Sequence, residues 1–401
     1  MRIAFLTTEY PTEKIFAGGL ASYLRRIGMS LVDLGHEVEV FTISHTNEFI
    51  YDEKIRVIRV NPGIGIHKLV SKTPYFWRYS SGYTEVLEPA LKLAIALRKR
   101  HSIAPFDIVQ AANYGACGII AALWKKIPII TRVSSYEPLW RDAYRKPLSR
   151  GQVQIEKAEI LQLRWSSGVY APSRILSEKL KEKEGIKVRL IEPPVNLVKF
   201  SPNTYSYQHS PIKGDFGLFF GSIGLLKGCD RIVNVLPDLF NKNPDMRFVF
   251  IGRVSKAENG DPYDKYIMTE LEKYHDRVMV LPEQKHSDLF PIVKKARFVV
   301  LPSKIDNLPN TCIEAMALGR VVIGTYGASF EQLIEDGVNG FLVSQNDDIE
   351  LASCIQRVWD MSPIEREKMG NNAFKSLGRM NPHNTTEQLI AFFEEIIYQR
   401  R

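Results

Sequence analysis

The chain has 401 residues, 45% of them hydrophobic and 24% charged, with a formal net charge of +8. That length exceeds one ordinary core, so two domains are expected, and the balance excludes a disordered chain. No run reaches the roughly 18 apolar residues of a membrane span, and Cys117, Cys229, Cys312 and Cys354 lack any Cys-x-x-Cys spacing, which argues against a zinc knuckle or disulfide framework and for a reducing cytoplasm.

Strand-like and helix-like segments alternate from the start. Residues 2–7 read as a strand that turns polar too early for a signal peptide. Leu20, Tyr23, Leu24, Ile27, Leu31 and Leu34 fall at helical spacing and predict a helix over 19–34. Gly35-His36 closes it, with His36 a structural residue at the turn. Strands follow at 38–43, 55–60, 108–111 and 127–133. Helices are predicted over 160–166 and 173–183, then a strand at 188–192. Strands separated by helices imply parallel βαβ units in a doubly wound sheet.

Between Glu192 and Pro211 the pattern lapses into a proline-rich connector, Pro193, Pro194, Pro202 and Pro211, which reads as a domain boundary. The alternation then restarts, with strands at 217–220, 247–252, 278–281, 298–301 and 321–324 and a final helix near 386–401. In the first half, residues 61–80 form an aromatic and basic insertion that includes Lys68, Lys72, Tyr75, Phe76, Trp77, Arg78 and Tyr79. It is either a loop packed on its own domain or an element that meets an acceptor or a membrane surface.

The positive charge suits nucleic acid, anionic lipid or phosphorylated substrates alike. No RNP-like, helix-turn-helix or zinc-finger pattern accompanies it, so nucleic acid is not an expected partner. No Asp-x-Asp, His-x-x-x-His or Cys/His cluster points to a metal.

Three glycine or acidic loops follow strands. Gly18-Gly19 lies between the first strand and first helix, where glycines let an anion approach the helix start; a tight turn is the alternative. Phe220-Gly-Ser-Ile-Gly-Leu-Leu-Lys-Gly228 follows the first strand of the second half and can set Lys227 and amides against a diphosphate. It is not a Walker loop, because no Gly-Lys-Ser/Thr follows. Gly63-Ile-Gly65 lacks the third glycine of a dinucleotide fingerprint.

The stretch 303–319, Ser-Lys-Ile-Asp-Asn-Leu-Pro-Asn-Thr-Cys-Ile-Glu-Ala-Met-Ala-Leu-Gly, carries most information. It joins an apolar strand to an Ala/Met/Leu helix ended by Gly319. Asp306 and Glu314 thus bracket a loop-to-helix junction at a strand's carboxyl end, where ligands of open α/β sheets bind. First-turn amides suit phosphate, and two carboxylates suit hydroxyls; a nucleotide sugar has both. The competing reading is a capping box, Thr311-Cys-Ile-Glu314, with a second box at Ser329-Phe-Glu-Gln332.

Together these residues resemble the retaining glycosyltransferases of family 4, the glycosyl transferases group 1. The resemblance spans nearly the whole chain and is strongest over 219–343. It rests on Gly18-Gly19, Leu34-Gly-His-Glu-Val38, the loop 221–228 with Lys227, the acid pair with Glu-Ala-Met-Ala-Leu-Gly319, and Gly327-Ala-Ser-Phe-Glu331 followed by Asp336-Gly-Val-Asn-Gly-Phe341. It implies the GT-B architecture, an α/β fold of two Rossmann-like parallel-sheet domains facing a central cleft. Residues 1–195 would form the acceptor-side domain and 205–380 the nucleotide-sugar-binding domain, with a C-terminal helix, 381–401, packing back toward the first.

The resemblance further implies a metal-independent transfer from a nucleoside-diphosphate sugar, UDP being favoured, to a hydroxyl of a glycan, lipid-linked or small-molecule acceptor. The donor is a co-substrate, and no cofactor is expected. Asp306 would contact the donor sugar, Glu314 the ribose and Lys227 the diphosphate, and these three are the catalytic candidates. Gly18 and Gly19, Gly221 and Ser222, the amides of Asn310 and Thr311, and Glu331 complete the donor set. Arg132 and Ser134 stand on the acceptor or sugar side.

Four departures from the family pattern stand out: Asp306 for the usual Glu, Ser222 for a diphosphate-binding arginine, Pro309 for a glycine amide, and Ser134 for a histidine near the sugar. They leave open a sugar-nucleotide epimerase or phosphorylase on the same fold, or a silent nucleotide-sugar-binding subunit. The expected location is the cytoplasm, either free or in peripheral contact with the inner face of the membrane.

Overall fold

A computed structural model describes residues 1–13, 19–63, 81–144, 148–197, 212, 214–257 and 260–400. The expectations for Gly18 and for residues 64–80 fall outside them, as does most of the proline-rich connector. The chain divides into unit 1, Met1–Pro194 with Pro382–Arg401, and unit 2, Val195–Asn381.

Unit 1 is built on an eight-stranded sheet. Its strands are β1 (Arg2–Thr7), β2 (Glu37–Ile43), β3 (Phe49–Asp52), β4 (Ile55–Val60), β5 (Ile108–Ala112), β6 (Ile129–Arg132), β7 (Gly168–Ala171) and β8 (Arg189–Leu190). They lie in the order β3-β4-β2-β1-β5-β6-β7-β8, all pairs parallel except β3 with β4. Because side chains alternate along a strand, β1 serves two cores. Ile3 and Phe5 pack with Leu24, Ile27, Leu389 and Phe393 on one face; Ala4 and Leu6 pack with Leu93, Leu97 and Val109 on the other. The helix Gly19–Asp33 and the last helix, Pro382–Tyr398, therefore share a face.

Several segments differ from the sequence expectation. The final helix begins at Pro382, four residues before the expected start, since proline suits a first helical position. The helix expected over 160–166 runs from Arg150 to Trp165, opened by a Ser149/Gln152 capping box. The strand expected over 188–192 pairs only at Arg189–Leu190. The helix Ser81–Ile103 was not foreseen.

Unit 2 has six parallel strands, β9 (Phe216–Phe220), β10 (Arg247–Ile251), β11 (Val278–Leu281), β12 (Phe298–Val300), β13 (Val322–Thr325) and β14 (Phe341–Val343), in the order β11-β10-β9-β12-β13-β14. Phe216, Leu218, Phe248, Phe250, Phe298 and Val299 are buried on a core covered by helices on both sides. The order reverses beside β9: β10 continues to one side and β12 to the other. That is the position where α/β sheets bind ligands beyond the strand ends. The segments entering and leaving the unit are tied together, Val195 N–H donating to Met380 O at 2.8 Å. Among the described residues no helix is long and apolar enough to cross a membrane.

Candidate functional site

The carboxyl ends of β9, β10, β12 and β13 bring the acidic and glycine loops of unit 2 together. Gly221 N–H donates to Ile251 O at 2.9 Å, which carries the β9–β10 pairing past the strand ends. Directly alongside, Gly252 adopts φ 150°, and a Cβ there would lie 1.7 Å from Gly221 O. Only glycine permits that approach. A Cβ on Gly221 would in turn meet Thr311 Cγ2 at 3.3 Å, so the β9 loop abuts the first turn of the helix Asn310–Ala317. Ser222 Oγ lies 3.5 Å from Ser255 Oγ.

Lys227 ends a short 3-10 turn, Leu225–Lys227, and Gly228 after it has φ 70°. Gly228 is pressed on the end of β12, where a Cβ would sit 2.0 Å from Pro302 O. The loops are cross-tied: Lys304 N–H donates to Leu226 O at 2.9 Å and Lys304 Nζ meets Asp230 Oδ2 at 2.7 Å. This frame sets Lys227 Nζ 2.5 Å from Asp306 Oδ2. Asp306 Oδ1 accepts the Asn307 N–H at 2.9 Å, and its carbonyl accepts from Ser329 Oγ at 3.2 Å. Two candidates far apart in sequence thus form one half-buried ion pair.

Neither capping box forms. Pro309 occupies the N-cap of Asn310–Ala317 at φ −71° and has no side chain to offer, which puts Thr311 inside the helix instead of at its cap. Ser329 sits at φ 65° and makes no cap bond; its hydroxyl is spent on Asp306. Glu331 instead accepts the Gly327 N–H, closing the loop after β13. Asn310 is exposed and Thr311 partly so, and first-turn amides have no partner within their own helix. Glu314, one turn in, lies 3.7 Å from His286 Nε2, whose ring stacks on Phe290 at 4.7 Å. His286 and Gly252 escaped the sequence reading; the glycine ending the strand at 247–252 was the one signal available.

In unit 1, Gly19 is exposed at the start of the helix Gly19–Asp33. One first-turn amide there is occupied: Ala21 N–H donates to Glu9 Oε1 at 3.1 Å. Arg132 ends β6, buried, and donates from Nη1 to Ser134 Oγ at 2.7 Å. Ser134 N–H is held by Asn113 Oδ1 at 2.7 Å. On the helix Arg150–Trp165, burial pushes the Glu159 carboxyl up to about 8, and its Oε1 accepts the Gly115 N–H at 2.8 Å.

Comparison with known proteins follows these two units. Residues 17–199 match the model described as Glycosyltransferase Family 4, and residues 208–376 match Glycosyl transferases group 1. A D-inositol 3-phosphate glycosyltransferase of Arthrobacter sp. (strain FB24) is 24% identical over 391 residues, covering 93% of this chain and 90% of its own. Sucrose-phosphate synthase from Thermosynechococcus elongatus superposes with a TM-score of 0.76 at 19% identity, over 99% of both chains. Anabaena HepE in complex with UDP and glucose gives 0.69 at 17%, over 98% of this chain and 100% of that one. These two solved structures share the fold found here.

Proposed function

The chain belongs to the glycosyltransferases of family 4, with the GT-B fold, and we propose that it moves a sugar from a nucleoside-diphosphate sugar to an acceptor hydroxyl with the anomeric configuration retained and no metal required. The observation that carries this reading is the convergence of the Gly221 loop, the Lys227–Asp306 pair and the open first turn of Asn310–Ala317 at one point on the sheet. UDP is the favoured nucleotide, supported by the UDP and glucose named for the HepE complex.

The donor's diphosphate rests on the first-turn amides at Asn310 and Thr311, whose dipole end favours negative charge. Lys227 turns from Asp306 to the departing phosphate and offsets the charge that grows as the anomeric C–O bond breaks. Asp306, so released, accepts from sugar hydroxyls, and Glu314 accepts from the ribose. The acceptor oxygen bonds the anomeric carbon from the face the phosphate leaves, passing its proton to a phosphate oxygen. Rate comes from positioning and preorganised charge, with no side-chain base in contact with the acceptor.

Titration of UDP, GDP and ADP into the wild type and Glu314→Ala tests this. UDP should bind most tightly, and losing hydrogen bonds to a charged acceptor should weaken it roughly 10-fold or more. Equal binding by both proteins would remove Glu314 from the site.

A further inference from the structure

The outer edge of the unit 1 sheet carries a half-buried cation that no carboxylate meets. β3 and β4 pair antiparallel, with Tyr51 opposite Arg56 and Phe49 opposite Ile58. Side chains two apart on a strand share a face, so these four line one side of the edge. Phe49 is 53% exposed and Tyr51 63%. Their ring centroids lie 6.1 Å apart with the planes perpendicular. The Arg56 guanidinium lies over Phe49, 4.0 Å from the centroid. Its Nε is out of water, and none of its nitrogens has a hydrogen-bond or ion-pair partner among the described residues.

A buried Nε alone is ordinary in this chain, since Arg2 and Arg132 have one as well, but both find oxygen with another nitrogen. The guanidinium groups around Arg56 are spent. Arg2 and Arg100 share Glu39, Arg25 holds Asp52 and Glu53, and Arg59 holds Glu13 and Glu48. Glu39 stands beside Arg56 across the β2–β4 ladder, yet both its oxygens are taken. A cation–π contact returns only part of what a desolvated guanidinium loses, and it leaves the planar fork of donors for an oxyanion. Exposed rings beside that fork suit an acidic sugar: a pyranose stacks its C–H face on an aromatic ring, and its carboxylate or phosphate meets the guanidinium. A peptide would instead add to the strand edge, but β3 has four residues and its last, Asp52, is turned to Arg25 and Tyr10. Edges this short resist strand addition. The patch also lies apart from the carboxyl-end loops of its own sheet, because Arg56 is the second residue of β4.

We propose that Phe49, Tyr51 and Arg56 form a second, non-catalytic saccharide site that holds a carboxylated or phosphorylated glycan on the edge of unit 1. The sugar stacks on Tyr51 and its oxyanion bonds Arg56, with Phe49 backing the guanidinium. Such a site keeps a long glycan substrate or product on the enzyme between transfers. The site stands on unit 1 alone; only its use as a tether rests on the transferase reading above.

The test is titration of the full chain with trigalacturonate, maltotriose 1-phosphate, uncharged maltotriose and hexaglutamate, read by hydrogen exchange over residues 48–60. The proteins are the wild type, Arg56→Gln, Tyr51→Ala and Lys368→Gln, the last removing an equal charge from an exposed position of unit 2. At least one anionic saccharide should protect the segment while maltotriose does not, and the uronate and phosphate arms tell the two sources apart. R56Q should weaken the effective probe roughly 10-fold or more, as for a hydrogen bond to a charged group. Y51A should weaken it several-fold and K368Q should leave it unchanged, with UDP affinity the same in all four proteins. Y51A carries the test alone if R56Q loses its cooperative melting transition. Three results would overturn the proposal: no anionic saccharide protecting better than maltotriose, R56Q binding no more weakly than K368Q, or hexaglutamate protecting as strongly as the best saccharide, which would hand the patch to an acidic protein. Failure of UDP to bind the wild type would sink the donor reading and leave the glycan result standing.

Discussion

Lys227 spends its charge on Asp306, 2.5 Å away, yet the diphosphate of a donor needs that same charge. Asp306→Asn separates the two demands. Asparagine has the same shape and keeps an oxygen for the Asn307 N–H, but removes the competing anion. With side-chain exposures of 26% and 14%, the pair is too wet to count as buried, so about 1 kcal/mol is a fair value. UDP should then bind D306N roughly five-fold more tightly than the wild type, while transfer falls sharply because the sugar loses its carboxylate. Lys227→Met should do the reverse, weakening UDP by roughly 10- to 150-fold, as expected for charge-assisted bonds of about 1.5–3 kcal/mol. In the double variant the gain from D306N should vanish, because it acts through Lys227. Calorimetric titration at fixed low salt measures all four proteins, and added salt should shrink the differences. Weaker UDP binding by D306N, or the same gain with and without Lys227, would refute the competition.

Two further outcomes concern stability. Gly228→Ala combines a left-handed backbone, worth about 1–2 kcal/mol for a non-glycine residue, with a Cβ 2.0 Å from Pro302 O. Gly185→Ala meets nothing within 4 Å at φ +66° and carries the backbone cost alone, so thermal melts should place G228A well below G185A, and equal melting temperatures would show that the loop yields freely. Glu159 has its folded-state value raised to about 8 from 4.5 by burial first, with Glu137 and Glu156 adding to it. Its favourable contribution is therefore complete below about pH 4.5 and lost as pH climbs through 8, at about 1.4 kcal/mol per unit. Glu159→Gln, which keeps an acceptor for the Gly115 N–H, should lack that slope, so denaturant melts of the two proteins should diverge from pH 5 to 9; parallel curves would show that the carboxyl is solvated.

The fold class was legible because buried parallel strands are continuous apolar runs. Residues 2–7 coincide with β1 to the residue. Strands without that signature were missed. Phe49–Asp52 is a half-exposed antiparallel edge, and Gly168–Ala171 opens with a glycine that the last helix requires, since a Cβ there would lie 2.9 Å from Phe392 and Ile396. Pro89 disguised the long helix Ser81–Ile103. Around the site, residue types near strand ends could be read, but partnerships could not. Nothing local pairs Lys227 with Asp306, brings His286 toward Glu314 or sets Gly252 against Gly221, because each is made by sheet order rather than by neighbours in the chain. The capping boxes illustrate the opposite error: a correct spacing carried no bond once Pro309 and the left-handed Ser329 fixed the backbone.

The excursion through Val195–Asn381 before the return at Pro382 has a biosynthetic consequence. While a ribosome is still threading out the middle of the polypeptide, Ile3, Phe5, Ile108 and Tyr170 lack the Leu389 and Phe393 side chains that cover them. The earlier-made half must wait with a greasy trench open, whereas the later-made half contains all its own packing and is free to collapse as it emerges. Truncating the tail should accordingly yield aggregation of the first half rather than a trimmed but working molecule.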